Sequence, residues 1–333
     1  MKIEYPYLVF LGDAPDQLAA KTASGIVYWR RDWCFGQFRL PGCRADLSLP
    51  DMTIAEAVAV GCRTMVIGVA NRGGVIPESW VPTMVDALEA GMDIAAGLHQ
   101  KVADIATVAD AAVANNRQLF DVRHPTQTFS VGSGARRPGK RLLTVGTDCS
   151  VGKMYAALAI GHELQLRNVK ADFRATGQTG IFIAGEGVSV DAVVSDFISG
   201  ATEWLTPAND ADHWDLVEGQ GSLFHPSYAG VTMGLVHGAQ PDVLVVCHEP
   251  TRTHMRGLPH QPLPDIQTCI DGHIGAARLT NPDAVCIGVA VNTSGLASED
   301  ERRSCLVNIA ARTGLPAVDP VIDGVAALVA KLD

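Results

Sequence analysis

Two patterns of hydrophobic positions alternate along this chain. Short unbroken apolar runs end at glycine or a polar cluster, and between them lie stretches whose apolar positions recur every three or four residues. The first is the pattern of parallel strands buried on both faces, the second that of helices laid against them. In the N-terminal region Tyr7–Leu11 and Thr64–Val69 are predicted strands, with amphipathic helices over Ile54–Val60 and Val81–Ala90. Farther along, Arg141–Val145, Val169–Phe173, Trp214–Glu218, Val243–Cys247 and Ala284–Val291 are predicted strands, and an Ala/Leu-rich helix runs from Tyr155 to Leu166. The stretch His124–Lys140, rich in Pro, Gly, Ser and Arg, carries neither period and reads as a connection. The expected fold class is α/β, with a Rossmann-like domain over 1–125, a linker over 126–140 and a P-loop NTPase-like domain with a mostly parallel sheet over 141–333.

Composition agrees with that architecture and narrows the function. A chain of 333 residues exceeds the size at which single cores stop growing. With 47% hydrophobic but only 6% aromatic residues, it suits aliphatic parallel sheets better than an aromatic-rich sandwich. The net charge of -10 and the lack of any long basic run argue against a duplex nucleic-acid binder, while leaving small anionic ligands open. Met1–Pro6 has no basic segment followed by an apolar core of signal-peptide length, and no apolar run reaches membrane-spanning length, so a cytoplasmic protein without a membrane partner is expected. Eight scattered cysteines without a Cys-x-x-Cys pair fit reduced thiols rather than a zinc ribbon or a disulfide framework, and no metal site is expected. The commonest assembly for such a chain, a homodimer, is the expectation for its oligomeric state.

The chemistry concentrates after the predicted strands. Arg141–Val145 runs into Gly146, Thr147, Asp148, Cys149, Ser150, Val151, Gly152, Lys153 and Met154 and then into the Ala/Leu-rich helix, which is the strand, glycine loop, lysine and helix context of a P-loop. Amides at the helix start would wrap a diphosphate, and Lys153 would add positive charge to the same oxygens. The loop resembles the Gly-Thr-Asp-x-x-Val-Gly-Lys-Thr loop of dethiobiotin synthetase. It departs at Met154, where a thioether replaces the hydroxyl that holds Mg²⁺, so phosphate binding without ordinary nucleotide hydrolysis is expected. Cys149, near a helix start, could alternatively carry an acyl group as a nucleophile, but a small packing residue is the simpler reading.

Glu218 closes a predicted strand and precedes Gly219-Gln220-Gly221-Ser222, as a Walker-B acid would. His225 lies just beyond, His248-Glu249-Pro250-Thr251-Arg252 follows the next strand, Asn292 the last, and Arg174 opens Arg174-Ala175-Thr176-Gly177-Gln178-Thr179-Gly180. Ligands of open parallel sheets bind at the strands' carboxyl ends, so these clusters are expected to converge on one cleft. In the first region Gly68-Val69-Ala70-Asn71-Arg72-Gly73-Gly74 is a weaker candidate for close ligand approach. Asp191 and Asp196 fall in a predicted helical stretch and have no distinct role.

Taken together, the P-loop string, Arg174–Gly180, Asp191–Phe197, Glu218–Ser222 and Cys247–Arg252, with Val66–Gly74 in the first region, resemble the D-glutamate N-acetyltransferase family over almost the whole chain. The resemblance implies acetyl transfer from acetyl-CoA to the amino group of D-glutamate or a related D-amino acid in a catabolic route, with small molecules as partners. The P-loop residues Gly146–Met154 and Asn292 would then hold acetyl-CoA. The candidate bases are Glu218, His225, His248 and Glu249, and Arg174, Arg252, Gln178 and Ser222 are candidate substrate contacts, with direct transfer expected. Two other readings use the same loop. One is a Mg-ATP-dependent ligase or kinase of the dethiobiotin synthetase type, and the other is a nucleotide-sensing regulator.

Overall fold

The computed structural model describes residues 2–332, and their side chains except that of Arg72. They form two compact units, one of residues 1–127 and 177–192, the other of 128–176 and 193–333.

Among the described residues, the first unit carries a five-stranded parallel sheet of β1 (Tyr7–Gly12), β2 (Cys34–Arg39), β3 (Thr64–Ile67), β4 (Asp93–Ala96) and β5 (Leu119–Asp121), in the order β2-β1-β3-β4-β5. β1, β3 and β4 are buried at every position, as unbroken apolar runs demand when helices cover both faces. The helix Ile54–Ala59 begins with a capping box in which the Thr53 side chain and Glu56 satisfy each other's amides. The short helix Gln178–Ala184 also belongs to this unit. The Phe182 carbonyl accepts from the Tyr7 hydroxyl at 3.1 Å, and the Ile183 carbonyl from Arg30 Nε at 3.0 Å.

The second unit holds a six-stranded parallel sheet ordered β13-β12-β9-β6-β8-β7, with a separate antiparallel hairpin. Its strands are β6 (Lys140–Gly146), β7 (Ala171–Arg174), β8 (Trp214–Val217), β9 (Val243–His248), the hairpin strands β10 (His254–Met255) and β11 (Leu258–Pro262), then β12 (Val285–Val291) and β13 (Ala317–Val318). The chain leaves β6 toward β7 and later crosses to β9 on the other side, so the order reverses beside β6, where a ligand crevice is expected in such sheets.

The sequence expectation drew one boundary, and the structure differs in two places. Residues 128–140 lie on the second unit, where the Ser133 and Gly134 amides donate to the Glu203 carboxylate at 2.9 and 2.8 Å and Arg137 donates to the carbonyls of Thr206 and Gly238 at 2.9 and 2.7 Å. Residues 177–192 leave the second unit for the first. The helical stretch expected around Asp191 and Asp196 is two separate 3-10 turns, Val190–Ala192 and Ser195–Phe197. Asp191 pairs there with Arg123 at 3.0 Å. Among the described residues all eight cysteines are free thiols, and no helix is long and apolar enough to cross a membrane.

Candidate active site

β6 delivers Gly146 to the crevice, and the loop turns over it into the helix Lys153–Leu166. Two residues of the turn have left-handed backbones, Ser150 at φ 53° and Gly152 at φ 99°. Glycine adopts that region freely, whereas for Ser150 it costs about 1 kcal/mol, a strain that the surrounding contacts must hold.

Those contacts come from Asp148, which is fully buried. Its Oδ1 accepts from the Cys149 amide at 2.7 Å, and its Oδ2 accepts from Arg252 Nη1 at 2.7 Å and from the Arg256 amide at 2.8 Å. Arg252 also donates to the carbonyls of Cys149 at 2.7 Å and Ser150 at 3.4 Å, and its Nε reaches Glu249 at 3.2 Å. Arg256, on the turn of the β10–β11 hairpin, donates to the Ser150 hydroxyl. The loop's shape is thus fixed by a buried carboxylate and a guanidinium clasping it.

Lys153, at the start of the helix, is only 7% accessible. Its ammonium donates to the Asp148 carbonyl at 2.8 Å and forms no ion pair among the described residues. Burial therefore lowers its pKa.

Glu218 stands on the other side of β6, at the end of β8. Its Oε2 accepts from the Thr176 amide at 3.0 Å and its Oε1 from Gln220 at 3.3 Å. The next residue must be glycine: its amide donates to Thr144 Oγ1 at 3.0 Å, and a Cβ there would overlap the Thr144 carbonyl and come within 3.1 Å of Lys153 Cδ. Glu218 is thereby locked against the base of the P-loop.

The other candidate bases divide by what they already hold. His248 shares a hydrogen bond with the Thr147 hydroxyl at 3.1 Å, and burial depresses its pKa, so its imidazole is neutral near pH 7. His225 accepts from the Ser227 amide at Nδ1 and faces the Arg256 carbonyl with Nε2, both at 3.2 Å, an arrangement that assigns its proton to Nε2. Glu249 is occupied by Thr251 and Arg252. Cys149 Sγ, one His225 nitrogen and one Asp148 oxygen lie within 4.8 Å of one another, a spacing that three metal donors could adopt. The hydrogen bonds already described occupy Asp148 and His225. Burial raises the Cys149 pKa despite the opposing pull of Lys153, Arg256 and Arg252, which disfavours a resting thiolate.

Not every expected contact joins this group. Arg174 turns back along the sheet to Asp215 at 2.7 Å and Asp172 at 3.2 Å, because Asp172 and Asp215 are register partners on β7 and β8. Gln178 belongs to the first unit, where its amide oxygen, assigned from its neighbours, accepts from Arg123 at 3.1 Å. Ser222 is fully buried, and its hydroxyl accepts from the Phe224 amide at 3.3 Å, a local turn contact. Arg252 braces the loop rather than pointing at open space. Its replacement by Ala is expected to destabilise the protein by about 3 kcal/mol, because one partner of a buried pair is removed, whereas Arg303→Ala, in an exposed pair with Glu299, should change stability by less than about 0.5 kcal/mol. Urea denaturation of the two variants checks this, and equal effects would contradict it.

On the opposite side of the loop from Glu218, a cavity of about 160 Å³ is lined by Val151, Gly152, Tyr155, Asn292, Pro320 and Val321, with Ala290 and Asp319 completing it. Asp319 is committed to its own turn, accepting from Thr293 Oγ1 at 2.5 Å and the Val321 amide at 2.9 Å. The lining is apolar walls with one side-chain amide, and Asn292 was expected here from the sequence. Tyr155, Pro320, Val321 and the hairpin residue Arg256 were not. The only signal for Arg256 was a second arginine four residues after Arg252.

Residues 128–329 match the domain of unknown function DUF1611, described as a P-loop domain, and residues 38–125 match its Rossmann-like N-terminal domain. A D-glutamate N-acetyltransferase from Tritonibacter scottomollicae is 56% identical over 330 residues, 99% of each chain. One from a Pseudoalteromonas species is 48% identical over the full length of both. The crystal structure of a DUF1611 family protein from Anabaena variabilis superposes with a TM-score of 0.86 at 30% identity, covering 98% of both chains. With its Rossmann-like domain, its P-loop domain and full-length likeness to these proteins, the chain belongs to the DUF1611 family, the family of the D-glutamate N-acetyltransferases.

Proposed function

We propose that this acyltransferase moves the acetyl group of acetyl-CoA to the amino group of D-glutamate or a related D-amino acid, and that its P-loop holds the donor's diphosphate. The observation that carries the P-loop role is Lys153, an ammonium buried at the start of the loop's helix that forms no ion pair among the described residues. The names of the two relatives supply the reaction. Thioester aminolysis needs no ATP, which accords with a thioether at position 154, where a hydroxyl would otherwise hold Mg²⁺.

The sheet order gives the site a direction. The Asn292 cavity lies at the ends of β12 and β13, the P-loop at β6, and Glu218 beyond it at β8. With the donor's nucleotide end in the cavity and its diphosphate at Lys153, the acyl arm leads across β8. Of the four candidate bases, His248 and Glu249 lie on the β9 side, while Glu218 and His225 both follow β8. Nδ1 of His225 is taken by the Ser227 amide and Nε2 faces a carbonyl, whereas the Glu218 carboxylate, though it accepts from Thr176 and Gln220, keeps further lone pairs for a proton. Glu218 then takes one proton from the substrate ammonium, the freed amine attacks the thioester carbonyl, and as the C–S bond breaks the second proton on the attacking nitrogen passes to the departing sulfur, so that CoA leaves as the thiol. The Gly219 amide is taken by Thr144, and the amides of residues 220–222 then donate to the developing oxyanion.

The protein mixed with acetyl-CoA and D-glutamate is expected to release CoA thiol and form N-acetyl-D-glutamate without ATP and in the presence of EDTA. Product that forms only with Mg-ATP, accompanied by ADP or AMP, would assign the chemistry to the ligase or kinase class. If no D-amino acid supports thiol release by folded protein that binds CoA, the transferase reading fails in favour of a regulator.

A further inference from the structure

The P-loop carries two cations that form no ion pair among the described residues, a lower one within the loop and an upper one on the hairpin. The lower is the buried Lys153 ammonium. The upper is Arg256, exposed on the hairpin turn, whose guanidinium contacts the Ser150 hydroxyl and forms no ion pair among the described residues. Arg252, by contrast, is matched by Asp148 and Glu249.

The hairpin is anchored over the loop by its backbone. The Arg256 amide donates to Asp148, and its carbonyl faces His225 Nε2. The turn is therefore held in place while, among the described residues, the side chain is tethered by one hydroxyl. That hydroxyl belongs to Ser150, whose backbone is left-handed. A neutral hydroxyl is a weak partner for a guanidinium, whose planar fork matches two oxygens of a phosphate.

We propose that Arg256 supplies, from above the loop, the counter-charge that Mg²⁺ supplies in P-loops with a hydroxyl at the Met154 position, exchanging the Ser150 hydroxyl for oxygens of the ligand's diphosphate. This rests on the reading that the P-loop holds the phosphates of CoA. It explains how a loop without a magnesium ligand stabilises a diphosphate: Lys153 approaches from within, Arg256 from the hairpin, and the amides of the helix start complete the cradle.

Titration calorimetry with ADP as the probe tests the assignment without acetyl transfer. In EDTA, Arg256→Gln is expected to weaken ADP binding by about tenfold or more, and Arg256→Lys by less, since charge is kept but the fork is lost. The native affinity should change less than twofold on adding Mg²⁺, and both variants should melt with the native protein because Arg256 is exposed. ADP binding of native strength by Arg256→Gln, or tightening of the native complex tenfold by Mg²⁺, overturns the proposal while leaving the P-loop's phosphate role standing. Native protein that binds neither ADP nor CoA overturns both.

Discussion

Replacing Lys153 by methionine is expected to lower kcat/KM for acetyl-CoA by about a hundredfold, a loss typical of a charge-assisted contact removed from a phosphate. The melting temperature should hold or rise. Lys153 is 7% accessible, so alanine would leave a void under the loop, whereas methionine fills the same volume and removes an ammonium whose burial is unfavourable. The one hydrogen bond lost, to the Asp148 carbonyl, leaves Asp148 held through its carboxylate by Arg252 and Arg256. Steady-state kinetics and a thermal melt of the same preparation separate the two effects. A variant with native kcat/KM would remove Lys153, and with it the diphosphate, from the donor site.

Glu218→Gln is the second large effect. The amide keeps the shape and can still accept from the Thr176 backbone, so the fold around β8 should persist, but it takes up no proton. Removal of a general base lowers kcat by about a hundredfold or more, with little change in the KM for acetyl-CoA. Should kcat stay within about threefold of native, the base lies elsewhere, and His248, neutral and bonded to Thr147, becomes the next group to replace.

Much of this was legible in the sequence because it depends on local pattern. β9 and β12 are apolar runs that only a doubly covered sheet accommodates, and the P-loop shows itself by the order of strand, loop, lysine and helix. Glu218, His248 and Asn292 stand out in the sequence because each is a polar residue closing or following such a strand, at the carboxyl edge where ligands of open parallel sheets bind. What stayed hidden depends on partners distant in sequence. β2 is an edge strand whose Gln37 is buried only because its amide meets Asp46 and the Leu47 backbone. The hairpin His254–Pro262, full of Pro, His and Gly, has no strand pattern and is pinned by Asp148, more than a hundred residues earlier. Arg174 and Arg252 follow strands just as a ligand-binding arginine would, but the register of β7 against β8 gives Arg174 to Asp215, and the buried Asp148 claims Arg252.

The excursion of residues 177–192 out of the second unit makes both halves discontinuous in the gene. A fragment ending at 127 would lack the carbonyls that receive Tyr7 and Arg30, while the complementary fragment would carry Ile181, Phe182 and Ile183, all buried in the whole chain, with nothing of the first unit to cover them. Neither half is therefore a transferable module. Recombination at the Pro- and Gly-rich stretch, the place where a breakpoint looks most harmless, would join mismatched pieces. The two units must be inherited together, which accords with relatives that align with this chain from end to end rather than over one domain.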